Sequence, residues 1–158
     1  EQSLAAAKAL DVPYAIASYA DCGEYSDAAN YHSIPGLLLE RGYGGGCREE
    51  WVAGHKRNIY LLLRHLGMYE SGEPEPIQEP KIYEQTIYLE STKAGLWYPK
   101  IKEQSRVVKG QVLGHLEDMF GNVLQEFCAE GDGVVFYYME GLSARERDIL
   151  VAYGLEER

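Results

Sequence analysis

Three prolines fall within the acidic stretch Glu70-Ser-Gly-Glu-Pro-Glu-Pro-Ile-Gln-Glu-Pro80, which has almost no apolar content. Proline donates no backbone N–H and disfavours helix at the residue before it, so this stretch can be neither a core helix nor a central strand. It reads as an extended linker and divides the chain. The expected organisation is an α/β part over residues 1–69, a proline-rich linker over 70–81 and a small β-domain over 82–158.

Upstream of the linker, helix and strand patterns alternate. Glu1 to Leu10 is rich in good helix formers and closes at Asp11-Val12-Pro13. Tyr14 to Ala20 reads as a strand ending in the turn Asp21-Cys22-Gly23, and Glu24 to His32 as a short helix. Ser33 to Gly36 form a turn, and Leu37-Leu38-Leu39 is an uninterrupted apolar run that suits a buried parallel strand ending on Glu40. Arg48 to Met68 is the longest periodic element. Its Trp51, His55, Ile59, Leu62 and Leu66 recur at helical spacing on one predicted face, and Gly67 is a natural stop. The fold class is therefore α/β, a partial parallel sheet with flanking helices. It has too few strands for a complete doubly wound domain, so the remainder is expected upstream. Residue 1 is Glu and enters a helix uncapped, which fits a chain that begins partway through something longer.

Beyond the linker come short β-rich pieces punctuated by glycine: 82–90, 95–98, 107–108, 112–116, 123–127, 134–139 and 149–153. Regular short strands of this kind make a small all-β sandwich or barrel.

A net charge of −10 over 158 residues, with scattered Lys and Arg, argues against a nucleic-acid partner, which needs basic side chains gathered on one face. No apolar stretch is long enough to cross a bilayer, so no membrane partner is expected. Cys22, Cys47 and Cys128 are odd in number and widely spaced, as suits free thiols in a reducing, cytoplasmic compartment.

The chemistry, if any, centres on Glu40. A carboxylate at a strand's carboxyl end, opening into Gly42, Gly44, Gly45 and Gly46 and then a helix, stands where open α/β sheets keep ligands. The plainer alternative, a first solvated residue after a strand, stands beside it. The glycine loop lacks the Gly-Lys-Ser/Thr ending of a phosphate loop, and Cys47 replaces the last small residue of the dinucleotide fingerprint. The four histidines do not form a metal motif: His55 falls on an apolar face, His65 off it, His115 in a strand, and His32 before the turn towards Glu40. The run Val107 to Asp118 followed by Ala129 to Val135 resembles half-motifs of biotinyl and lipoyl carriers. Its hairpin tip, Glu117 to Asn122, holds no lysine for a cofactor.

Taken together, Ser33-Ile34-Pro35, Leu37 to Glu40 with Gly42, the helix ending Leu66-Gly67-Met68, and Val107 to Gly114 with Gly121 and Asp132-Gly133 resemble one family. It is the succinylglutamate desuccinylase and aspartoacylase family, zinc carboxypeptidase-like hydrolases with an appended β-domain, and the likeness is to the C-terminal portion. The resemblance implies hydrolysis of the amide bond of N-acyl amino acids or related small molecules, with Glu40 as general base on a zinc-bound water. Arg41 and Arg48 flank the loop and are candidates to bind a substrate carboxylate; a solvated arginine is the alternative for each. The family's zinc ligands, a His-x-x-Glu pair and a further histidine, lie upstream of the matched region and have no counterpart here. The chain alone is therefore expected to be an inert fragment. The rival is a non-enzymatic ligand- or partner-binding module with a carrier-like β-domain. A missing upstream half would expose apolar surface over residues 14 to 66, so homo-oligomerisation of the isolated chain is also expected.

Overall fold

The computed structural model describes residues 1–18, 28–29, 31–70 and 76–156, which fall into two compact units, Glu1–Ile82 and Tyr83–Arg158.

In the first unit, helix α1 (Gln2–Lys8) buries Ala7, with Leu10 buried just beyond its end. Strand β1 (Tyr14–Ile16) follows the Pro13 break and joins β2 (Lys81–Tyr83) in a two-stranded sheet, where the Lys81 N–H donates to the Pro13 carbonyl at 3.0 Å. The predicted strand 14–20 is thus a strand over 14–16, and residues 19 and 20 lie outside the described residues. Of the predicted helix Glu24 to His32, residues 28, 29, 31 and 32 are helical, while 24–27 and 30 lie outside the described residues, as does Cys22.

The parallel strand predicted over Leu37–Leu39 is not formed. The segment has no regular structure and Leu38 is 73% exposed. A strand exists only by pairing, and among the described residues no ladder runs alongside this one. Glu40 therefore stands in an exposed connecting segment instead of at a sheet edge.

Helix α2 (Glu49–His65) realises the long periodic stretch. Arg48 is its extended N-cap residue, Glu49 and Glu50 complement the helix dipole in the first turn, and Arg64 and His65 do so in the last. The helix stops in a paired cap: Met68 N–H donates to Leu63 O at 2.8 Å and Gly67 N–H to Arg64 O at 2.9 Å, with Gly67 at φ +68°. Its buried face differs from the predicted stripe. Ile59 is 54% exposed and Leu66 is exposed, whereas the polar Asn58 is fully buried. Apolar spacing alone cannot reveal that an amide with the right partner takes the most buried position.

The second unit is a sandwich of two antiparallel four-stranded sheets. One has the order β3 (Thr86–Glu90), β10 (Ile149–Leu155), β8 (Gly133–Tyr138), β5 (Arg106–Val107); the other has β7 (Val123–Cys128), β6 (Val112–Glu117), β4 (Gly95–Pro99), β9 (Ser143–Ala144). Between them Trp97, Leu113, Leu116 and Phe127 meet Val135, Leu150, Val151 and Tyr153. Trp97 anchors this core. Its ring stands edge-on to Phe127 at 5.5 Å, and its Nε1–H donates to the Met139 carbonyl at 2.9 Å, so a large apolar body is buried without orphaning its one donor. Seven short strands predicted from glycine punctuation correspond to β2–β3, β4, β5, β6, β7, β8 and β10, and only β9, two residues long, went without a signal.

Candidate active site: the Glu40 loop on helix α2

Residues 41–48 wrap the first turns of α2, and Trp51 is what they wrap. A Cβ placed on Gly42 would lie 2.7 Å from the indole Cε3, so only glycine allows the backbone to pass there, and its φ of +94° demands glycine again. Tyr43 meets Trp51 edge-on, with ring centroids 5.2 Å apart. The Arg48 guanidinium lies over both rings, 4.8 Å from the Trp51 centroid and 5.3 Å from that of Tyr43. It also donates to the Tyr43 hydroxyl at 3.1 Å and pairs with Glu50 at 3.6 Å.

One helical turn beyond Trp51, on the same face, is Gly54. The Arg41 guanidinium lies against it: a Cβ on Gly54 would sit 2.7 Å from Arg41 Cζ and 2.8 Å from Nε. Arg41 makes no hydrogen bond or ion pair with a described residue. Glu40, its neighbour in the chain, is exposed and likewise makes none. The structure therefore seats both candidate arginines on one face of α2 and uses them differently. Arg48 is engaged by three side chains, while Arg41 keeps its donors open next to Glu40. The start of α2 is of mixed charge, with Arg48 at the N-cap and Glu49 and Glu50 in the first turn.

Tyr43 and Gly54 carry no role in the sequence pattern alone, and Trp51 only that of helix packing. The signal was there in part: an aromatic and a glycine at i and i+3 facing a loop rich in glycine and arginine. Which loop would land on that face is a tertiary fact.

The histidines are scattered. His32 and His65 are exposed and His55 is partly buried. His115 Nε2 meets Glu117 Oε1 at 2.8 Å while its ring stacks on Tyr98, with centroids 5.3 Å apart. Among the described residues no group of three or more His, Cys, Asp or Glu side chains is placed to hold a metal ion, so the residues described do not fit a zinc centre. No helix among them is long and apolar enough to cross a membrane.

The carrier-like hairpin tip joins β6 to β7. The Asp118 carboxylate accepts from the N–H groups of Phe120 at 2.8 Å and Asn122 at 2.9 Å and from Asn122 Nδ2 at 2.8 Å. These bonds, that from the Asn122 side chain foremost, hold the Asp118 carboxyl below the usual aspartate range. On this ordered turn Met119 and Phe120 are 81% and 89% exposed.

No family model and no curated protein matches the sequence. Solved structures do match. The chain is similar to the ectoine utilization protein EutE (DoeB) of Ruegeria pomeroyi, with TM-score 0.84 and 22% identity over 98% of this chain and 51% of that one. It is similar to a succinylglutamate desuccinylase/aspartoacylase of Rhodobacter sphaeroides, with TM-score 0.81 and 23% identity over 99% and 49%. An aspartoacylase family protein of Mesorhizobium loti follows, with TM-score 0.73 and 17% identity over 99% and 48%. At these identities the likeness establishes the fold. The family that the sequence resembles is also the family of these structural neighbours, and the chain spans about half the length of the structures it matches.

Proposed function

We propose that a chain folded like one half of the succinylglutamate desuccinylase/aspartoacylase structures is the C-terminal part of a zinc-dependent hydrolase that cleaves the amide bond of N-acyl amino acids. The observation that carries this reading is that an exposed, unengaged carboxylate, Glu40, is followed in the chain by Arg41, whose unengaged guanidinium is seated against α2. In this reading Glu40 is the general base: it takes a proton from the attacking water and returns it to the departing amine, a role worth roughly 10²–10⁴-fold in rate. Arg41 receives the substrate carboxylate through its planar fork of donors. Arg48, already held by Tyr43, Glu50 and Trp51, keeps the loop in place. In this reading the zinc ligands lie upstream of the matched region, and the 158-residue chain by itself is inactive. The exposed free thiols of Cys47 and Cys128 fit a reducing, cytoplasmic setting.

A second reading, a non-enzymatic binding module with a carrier-like β-domain, draws on the ordered β6–β7 tip that presents Met119 and Phe120. One experiment separates the two. In the full-length, zinc-loaded protein, Glu40→Gln should lower kcat for N-acyl amino acid hydrolysis by about 10²-fold or more with the fold retained. Unchanged kcat would leave the binding module as the better reading.

A further inference from the structure

The seat of Arg41 has a consequence for how the site selects its ligand. Gly54 lies inside a 17-residue helix, where glycine is about 1 kcal/mol less favourable than alanine. Its φ is not in the left-handed region, so the backbone does not require glycine there. What the missing side chain provides is room, and the group that fills it is the Arg41 guanidinium. The other end of Arg41 is fixed as well, because the next residue, Gly42, is pressed against Trp51. A long flexible cation is thus held at its backbone and laid flat at its tip, with its donors unspent among the described residues. Ordering an arginine before the ligand arrives removes part of the entropy loss that binding would otherwise incur.

We propose that Gly54 is a positioning residue: it seats the Arg41 guanidinium and so sets where the carboxylate of a small acylated substrate is received beside Glu40. The inference rests on the reading of the Glu40 loop as a substrate site, and it names the determinant of carboxylate recognition within that site. Arg48 does not compete for the role, since Tyr43, Glu50 and Trp51 already engage it.

The test needs no turnover. The Nε–Hε signal of Arg41 is followed by NMR in the ¹⁵N-labelled 158-residue chain, assigned by its loss in Arg41→Lys, during titration with N-acetylglycine and, separately, with N-acetylglycinamide. In the wild type the signal should move with the acid and not with the amide. Gly54→Ala favours the helix, and the atom it strikes is the far end of a flexible side chain, so thermal stability should equal or exceed the wild type. In that variant the unliganded Arg41 signal should already be displaced, and the apparent Kd for N-acetylglycine should rise about threefold or more, the range for one solvent-facing ion pair. Arg41→Lys should weaken binding similarly by losing the fork. An unmoved Arg41 signal and unchanged Kd in Gly54→Ala would overturn the positioning role while leaving Arg41 as a ligand-binding group. Equal response to acid and amide, or none in the wild type, would overturn the inference at its root; the hydrolase reading would still be judged by Glu40→Gln.

Discussion

Asn58 and Asp11 close on each other twice: the Asp11 N–H donates to Asn58 Oδ1 at 2.7 Å, and Asn58 Nδ2 donates to the Asp11 carbonyl at 3.3 Å. One buried amide on α2 thereby satisfies both backbone groups of Asp11, in the connection between α1 and Pro13. Arg57 adds a 2.7 Å ion pair from its Nε to the Asp11 carboxylate. Asn58→Ala leaves both Asp11 groups unmatched, and Asn58→Leu does the same while keeping the branched shape of the side chain. Each should destabilise the first unit by about 1–3 kcal/mol. Arg57→Gln breaks a partly exposed pair and should cost about 1 kcal/mol or less. Urea unfolding followed at the α2 amides by NMR ranks the three. An Asn58→Leu variant as stable as wild type would show that the amide fills space without fastening the helix.

In the sandwich the backbone of Gly114 passes directly under Trp97. A Cβ on Gly114 would lie 2.2 Å from the indole Cη2 and 2.7 Å from the Tyr98 carbonyl, and neither a ring with 1% exposure nor a backbone oxygen in a strand can retreat cheaply. Gly114→Ala should therefore cost the second unit about 1–3 kcal/mol or more through overpacking. Gly121→Ala meets no neighbouring atom but sits at φ +82° and should cost about 1 kcal/mol. The thermal midpoint of the second unit, read from β-sheet circular dichroism, distinguishes steric from backbone cost. Equal midpoints for the two variants would contradict the assignment.

These contrasts explain what could be seen in the sequence. The β-domain is legible strand by strand because each β-rich piece is bounded by its own turn residues; β9 escapes because Ser143–Ala144 is too short to carry a pattern. Helix α2 was legible as an element, but its packing face was not. Spacing weighs Ile59 as buried and Asn58 as solvated, and the hydrogen bonds to Asp11, far off in sequence, reverse the order. Leu37–Leu39 misled for a related reason: an apolar run states a wish to be buried, while a strand also needs a neighbour. At the candidate site, Glu40, Arg41 and Arg48 are visible as residue types. That Arg48 is spent on Tyr43 and Trp51 while Arg41 rests on Gly54 is visible only once the loop is laid on the helix.

The Asp118 carboxyl titrates below the usual aspartate range because the ionised form accepts bonds from Asn122 and Phe120. A depressed folded-state pKa means that its contribution to stability is complete above the unfolded aspartate value and is lost as pH falls through the folded one. The order of the β6–β7 tip should follow the same course, fixed at neutral pH and loosened in acid below the ordinary aspartate range. Asn122→Ala removes the largest cause and should move the Asp118 titration upward, as read from its carboxyl ¹³C shift against pH. A midpoint unmoved in that variant would mean that the Asn122 amide does not contribute.

Three large apolar side chains, Tyr31, Ile34 and Leu38, stand exposed within a short span of the first unit. Burying one leucine removes enough apolar area from water to be worth about 1.5–3 kcal/mol. A chain that leaves such groups in water gains by covering them with a second copy when nothing else does. Light scattering over a wide concentration range should therefore show the average mass of the 158-residue chain rising with concentration. Leu38→Glu should shift that rise to about tenfold higher concentration or beyond, since it both removes the apolar gain and brings like charges together. The same substitution lies in a segment without regular structure, so its circular dichroism should be unchanged. A constant monomer mass at every concentration would count against self-association through this segment, and association that persists unaltered in Leu38→Glu would place the contact on another face.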